Sequence, residues 1–127
     1  MQGRMKAVIK TEAGPGAELQ MVDIPRIGDE DVLVKVQAVA LCGTDRAIYK
    51  WNAWAQSRIQ TPLILGHEMA GTIVEVGRAV TNLKPGDLVS AETHIVCGHC
   101  VQCLHNQYHV CGNLRILGVD TQGVFSE

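Results

Sequence analysis

Apolar residues recur at or near every second position over three short stretches near the N-terminus, Lys6 to Lys10, Leu19 to Ile24 and Val32 to Val39, with β-branched residues prominent. A period of two turns one face of each stretch inward, so all three are expected to be β-strands, VLVKVQAVA being the clearest. From Thr44 to about Trp54 the alternation stops and two alanines appear; Thr44-Asp45 is a reasonable N-cap, which predicts a short helix. Met69 to Val76 and Asp87 to Glu92 return to the strand pattern, the latter introduced by the turn signal Lys84-Pro85-Gly86-Asp87. Between Cys97 and Gly112 no period is visible, as expected of a loop shaped by something other than a hydrophobic face. No repeat, low-complexity run or linker interrupts the chain, so residues 1–127 are read as one mainly β domain. The closing run GVDTQGVFSE stops within strand-like alternation, as expected of a piece of a longer polypeptide.

Composition narrows the function classes. Hydrophobic residues make up 46% of 127 and charged residues 19%, which suits a globular domain and disfavours disorder. A net charge of −2 without basic runs argues against nucleic-acid partners. No apolar stretch approaches the roughly 18 residues of a membrane span, and MQGRMKAVIK has no apolar core followed by a cleavage site. A cytoplasmic location is therefore expected.

Five cysteines need an explanation, and in the cytoplasm it points to metal rather than disulfides. Cys97-x2-Cys100-x2-Cys103-x7-Cys111 places four thiols within a short excursion of backbone, close enough to surround a tetrahedral Zn²⁺. Four sulfurs leave no open position, so residues 97–112 read as a structural zinc loop; disulfides or an iron–sulfur cluster are the alternatives. His99, His105 and His109 are read as solvated loop residues, since four cysteines already suffice. A second set is Gly66-His67-Glu68, followed by Gly71 and Gly77 at the start of a strand, together with the isolated Cys42. Sulfur, nitrogen and oxygen donors suit a catalytic zinc that keeps a position open. Taken singly, His67 reads as a satisfied core histidine and Cys42 as a small buried apolar residue.

The residues around these donors change that balance. Cys42-Gly43-Thr44-Asp45, Gly66-His67-Glu68 and the four-cysteine segment together resemble the zinc-dependent medium-chain alcohol dehydrogenase superfamily over nearly the whole chain. IYKWNAWAQ (Ile48 to Gln56), AETHIVCGHC (Ala91 to Cys100), NQYHVC and GVDTQGVFSE are similar to its threonine dehydrogenases. The resemblance implies a GroES-like partial β-barrel with a short helix and a zinc-binding loop. It implies one catalytic and one structural Zn²⁺, and an NAD-binding Rossmann domain outside this chain, which carries no G-x-G-x-x-G. The activity implied is oxidation of the secondary alcohol of L-threonine by NAD to 2-amino-3-ketobutyrate, in a cytoplasmic homo-oligomer, a tetramer, with this fragment alone inactive. Polyol or diol oxidation within the superfamily, and a zinc-binding module without chemistry, are the rival readings.

By the same resemblance Cys42, His67 and Glu68 hold the catalytic zinc, with a further glutamate beyond residue 127 as another ligand. Thr44 passes on the substrate proton, and Asp45 accepts the second ring N–H of His67. Both residues read equally well as caps of the helix. His94 falls where threonine dehydrogenases approach the substrate, or is a loop histidine beside the structural zinc. Ala47 stands where close relatives carry a relay histidine. Trp51 and Trp54, in a chain with 4% aromatics, are expected to wall a pocket or to pack the helix.

Overall fold

The computed structural model describes residues 3–127, so the first two residues of the domain read from the sequence, and with them the start of MQGRMKAVIK, lie outside it. Strand β1 (Arg4–Lys10) runs antiparallel to β2 (Glu18–Asp23), and its other edge meets the two-residue β4 (Leu63–Ile64), giving the sheet order β2-β1-β4. Met5, Ala7 and Ile9 alternate inward along β1, each under 9% exposed. A second sheet has the order β3-β5-β6, from β3 (Val32–Val39), β5 (Met69–Val76) and β6 (Leu88–Ser90). The two bulges in the β3–β5 ladder let the long strands bend across each other. A small ribbon, β7 (His94–Ile95) with β8 (Arg115–Ile116), carries the cysteine loop between its strands. The fold is mainly β, as expected, with the sheets forming no closed barrel among the described residues.

The predicted single helix is two. α1 (Gly43–Lys50) and α2 (Ala53–Arg58) meet at Trp51, which closes α1 in the left-handed region, and Asn52, whose side chain caps α2 through the Ala55 N–H. Cys42, not Thr44 or Asp45, is the N-cap of α1; Thr44 and Asp45 lie in its first turn. The predicted loop 97–112 contains a short helix, α3 (Val101–Leu104), and a 3-10 turn (Tyr108–Val110). The terminal run is no strand. Its residues pair singly, Ala7 with Ser126 and Leu117 with Thr121, and run back over the loop after β4.

The main apolar cluster lies between the helices, β4 and this returning segment: Ile48, Ala55, Ile59, Leu63, Leu65, Val119 and Phe125. Phe125 rests on the turn at Gly66, whose φ of +90° is one that favours glycine, and backbone N–H groups of Gly123, Val124 and Phe125 bond to the carbonyls of Ile64, Gly66 and Leu65 at 2.8–3.0 Å. A Cβ at residue 66 would collide with the Phe125 ring. Gly66→Ala is therefore expected to cost roughly 2–4 kcal/mol, from left-handed strain plus overpacking. Urea denaturation checks this, and a loss below about 0.5 kcal/mol, within the range of neutral surface changes, would mean that the Phe125 contact yields freely.

Candidate metal centres

Antiparallel register brings the first set of donors together. Val39, the last residue of β3, pairs with Met69, the first of β5, and the next pair outward is joined by the Ala40 N–H to the Glu68 carbonyl at 3.1 Å. Cys42 and His67, 25 positions apart, thus emerge from the same end of the ladder, with Cys42 Sγ 2.9 Å from His67 Nε2. Glu68 Oε1 stands 3.9 Å from the same nitrogen. The three donor atoms lie within 4.8 Å of one another, His67 buried, Cys42 half-buried and Glu68 exposed.

Helix α1 fixes Cys42 from behind. Its Sγ accepts the Thr44 N–H at 3.3 Å, and its own N–H donates to Asp45 Oδ2 at 2.9 Å. Asp45 is 4% exposed, and its other oxygen, Oδ1, faces His67 Nδ1 at 3.7 Å. Both atoms are buried and unpartnered. Two orphaned polar atoms side by side are costly unless the imidazole turns its Nδ1–H to the carboxylate, which it does naturally when Nε2 is given to a metal. The Sγ–Nε2 separation is shorter than the ~3.5 Å between such ligands on tetrahedral zinc, so an ion spreads the pair by about half an ångström. Sulfur, nitrogen and exposed oxygen donors with an orienting carboxylate fit a zinc ion with a position left open.

Cys97, Cys100, Cys103 and Cys111 form the second set, again within 4.8 Å of one another. Measured sulfur separations are 3.6 Å (Cys97–Cys111), 3.9 Å (Cys100–Cys111) and 4.0 Å (Cys97–Cys103). Tetrahedral zinc with ~2.3 Å bonds requires sulfurs about 3.8 Å apart, close to these three separations, so the four cysteines fit a zinc ion. The His99 backbone N–H draws the Cys97 thiol down to about 5, and burial pushes that of Cys103 up to about 12. His99, His105 and His109 are exposed, as expected of loop residues, His99 Nδ1 standing 2.7 Å from the Cys97 carbonyl.

His94 is exposed on β7 with Nδ1 3.3 Å from Glu92 Oε1, and the ring holds that carboxyl below the usual carboxylate range. It belongs to neither donor set. Its neighbour Thr93, which the sequence reading passed over, donates from Oγ1 to the His67 carbonyl at 3.2 Å. Trp51 packs on the main cluster, whereas Trp54 is 42% exposed; neither lines the open groove of about 1050 Å³ that runs from β1 and β3 to Cys42, where Tyr49 and Arg46 stand instead. Among the described residues no helix is long and apolar enough to cross a membrane.

Comparison with known proteins gives the family. Residues 28–127 match the family of alcohol dehydrogenase GroES-like domains. An L-threonine 3-dehydrogenase of Pyrococcus horikoshii is 57% identical over the whole chain, which spans 36% of that relative's length. Among solved structures, galactitol-1-phosphate dehydrogenase of Escherichia coli superposes with a TM-score of 0.86 at 31% identity, over 95% of this chain and 34% of its own. A cobalt- and zinc-bound thermostable alcohol dehydrogenase of Pyrobaculum aerophilum gives 0.84 at 30% identity, over 98% and 38%.

Proposed function

The chain belongs to the family of alcohol dehydrogenase GroES-like domains, and on that premise we propose that its residues 1–127 are the N-terminal catalytic part of a zinc-dependent enzyme that oxidises L-threonine with NAD. The observation that carries the proposal is the grouping of Cys42, His67 and Glu68 in front of a buried Asp45, in a chain 57% identical to a threonine dehydrogenase. In this reaction the secondary alcohol of threonine gives up a hydride to NAD⁺ and its hydroxyl proton to solvent, leaving 2-amino-3-ketobutyrate and NADH. Zinc, when bound by Cys42, His67 and Glu68, supplies the positive charge that eases ionisation of the substrate hydroxyl.

The chain's own residues do the rest. With Nε2 given to the metal, Asp45 Oδ1, 3.7 Å from Nδ1, would accept its N–H, which fixes the tautomer. Thr44, in the first turn of α1 beside Cys42, offers the hydroxyl that takes the substrate proton and hands it outward. His94, one residue from the Thr93 hydroxyl that bonds to the His67 carbonyl, takes the substrate side. Cys97, Cys100, Cys103 and Cys111 hold a second zinc that shapes the loop. NAD is bound by chain outside these residues, so the 127 residues alone are expected to be inactive. Reduced thiols in both sets suit the cytoplasm, and a homo-tetramer, checked by light scattering, accompanies this reading.

The test is NAD reduction by the full-length polypeptide with L-threonine, sorbitol and 2,3-butanediol, each with and without a zinc chelator. Chelator-sensitive turnover with a clear kcat/KM advantage for threonine is the expected result. Preference for sorbitol or butanediol would move the substrate to the second reading, a polyol or diol, favoured by the likeness to galactitol-1-phosphate dehydrogenase. Absence of turnover with a single zinc per chain would favour a binding module.

Ala47 tests the proton path. It follows Asp45 by two residues on α1, half-buried, with no group to carry a proton. Ala47→His is expected to leave the zinc content unchanged and shift the pH profile of kcat, because a titrating relay member is added. An unaltered profile would remove this position from the path.

A further inference from the structure

Lys10 ends β1 with 1% of its surface exposed, a fully buried cation away from both donor sets. Its Nζ donates to the carbonyls of Gly14 and Gly16 and lies 5.0 Å from the centre of the Trp51 ring. Burial lowers its pKa, with Glu12 acting in the opposite sense. Trp51 is itself unusual. It closes α1 at φ 56°, ψ 48°, a conformation that costs a bulky residue about 1 kcal/mol and that glycine ordinarily takes. The two oddities explain each other, since the left-handed cap lays the indole face over the ammonium, where a desolvated cation–π contact offsets strain and burial together. The Gly16 N–H completes the tie by donating to the Tyr49 carbonyl at 2.8 Å. Residues 10–17 are thereby stitched to the last turn of the helix whose first turn presents Cys42.

We propose that Lys10 is a positioning residue of the open metal centre, holding the far end of α1 so that Cys42 stays beside His67, within reach of one ion. The inference rests on the reading of Cys42, His67 and Glu68 as a metal site. The lever is short and stiff. With the buried Ile48 as pivot, a tilt of about 5° at the Trp51 end moves Cys42, six residues and about 9 Å away along the axis, by about 0.8 Å. A ligand constellation tolerates roughly 0.5 Å. The four-cysteine set, on the separate segment between β7 and β8, is outside this lever.

The full-length protein, stripped of metal and titrated with Co²⁺, tests this, because the absorption of a four-thiolate site differs from that of a mixed sulfur, nitrogen and oxygen site. Lys10→Met is expected to fill the four-cysteine site as the unaltered protein does and to bind at the open site about tenfold more weakly, the size of effect seen when a ligand's support is removed. Lys10→Arg is expected to recover part of the loss. Trp51→Gly keeps the left-handed cap while removing the ring, and should show the same selective weakening if Lys10→Met fails to fold. Wild-type affinity at the open site in both variants, or equal weakening at both sites, would overturn the proposal. An unaltered protein with no open-site cobalt band would overturn the metal reading of Cys42, His67 and Glu68 and the proposal with it.

Discussion

Cys42→Ala is expected to lower the zinc content of the full-length enzyme from two to one per chain and to reduce kcat/KM for L-threonine by on the order of 10³-fold or more, ~4 kcal/mol of transition-state stabilisation. The size follows from the donor count. Three donors within 4.8 Å include one sulfur, and removing it leaves this chain only a buried imidazole and an exposed carboxylate with which to hold the ion. The same side chain caps α1, so alanine alone confounds metal loss with a frayed helix. Cys42→Ser separates the two, because serine is the better N-cap while its hydroxyl is a poor zinc ligand at neutral pH. Metal analysis and steady-state kinetics on both variants decide the matter. Two zincs and unchanged turnover in Cys42→Ser would strike Cys42 from the site.

Why β3 and β5 were readable to the residue, while the helix between them was not, is a matter of which signals are local. β3 carries apolar residues at every second position from Val32 to Ala38, β5 is a short run rich in β-branched residues, and the structural bounds of both are those expected. β4, β7 and β8 have two residues each and no period to read. Trp51 hides the break between α1 and α2, since a left-handed cap is ordinarily signalled by glycine or asparagine. Asn52 was the available clue, being a strong N-cap immediately before α2. The cap of α1 was misplaced because cysteine is not among the favoured caps; it serves here through its place at the donor set.

The two donor sets differ in the same way. The four-cysteine set is local, its members within fifteen residues, and its chemistry could be read from spacing. Cys42 and His67 are joined by the β3–β5 register, a long-range fact that spacing does not carry, and resemblance supplied it instead. Lys10 gave no signal at all. A lysine ending an amphipathic strand reads as solvent-facing, and tertiary packing of Trp51 and two glycine carbonyls is what buries it.

The second large effect is expected from Cys103→Ser, which removes the most buried of the four sulfurs, 3% exposed. The segment between β7 and β8 has little apolar interior. Val101, Leu104, Tyr108 and Val110 are exposed, leaving the sulfurs themselves as what the loop closes on. On the proposed reading a zinc ion replaces the missing core, a contribution on the order of 10 kcal/mol in small zinc-stabilised domains. The variant is expected to lose that zinc, to lose amide-exchange protection across 97–113, and to keep protection in β3 and β5. The pH dependence has a definite sign. Metal-free Cys103 holds its proton up to about 12, so binding at neutral pH must expel it, whereas Cys97, with its thiol at about 5, is already ionised. Zinc affinity at this centre should therefore rise with pH across about pH 6 to 8, by at least one proton per ion, and competition with a chromogenic chelator measures the slope. A flat profile, or full protection across 97–113 in Cys103→Ser, would show that the loop is held by something other than metal.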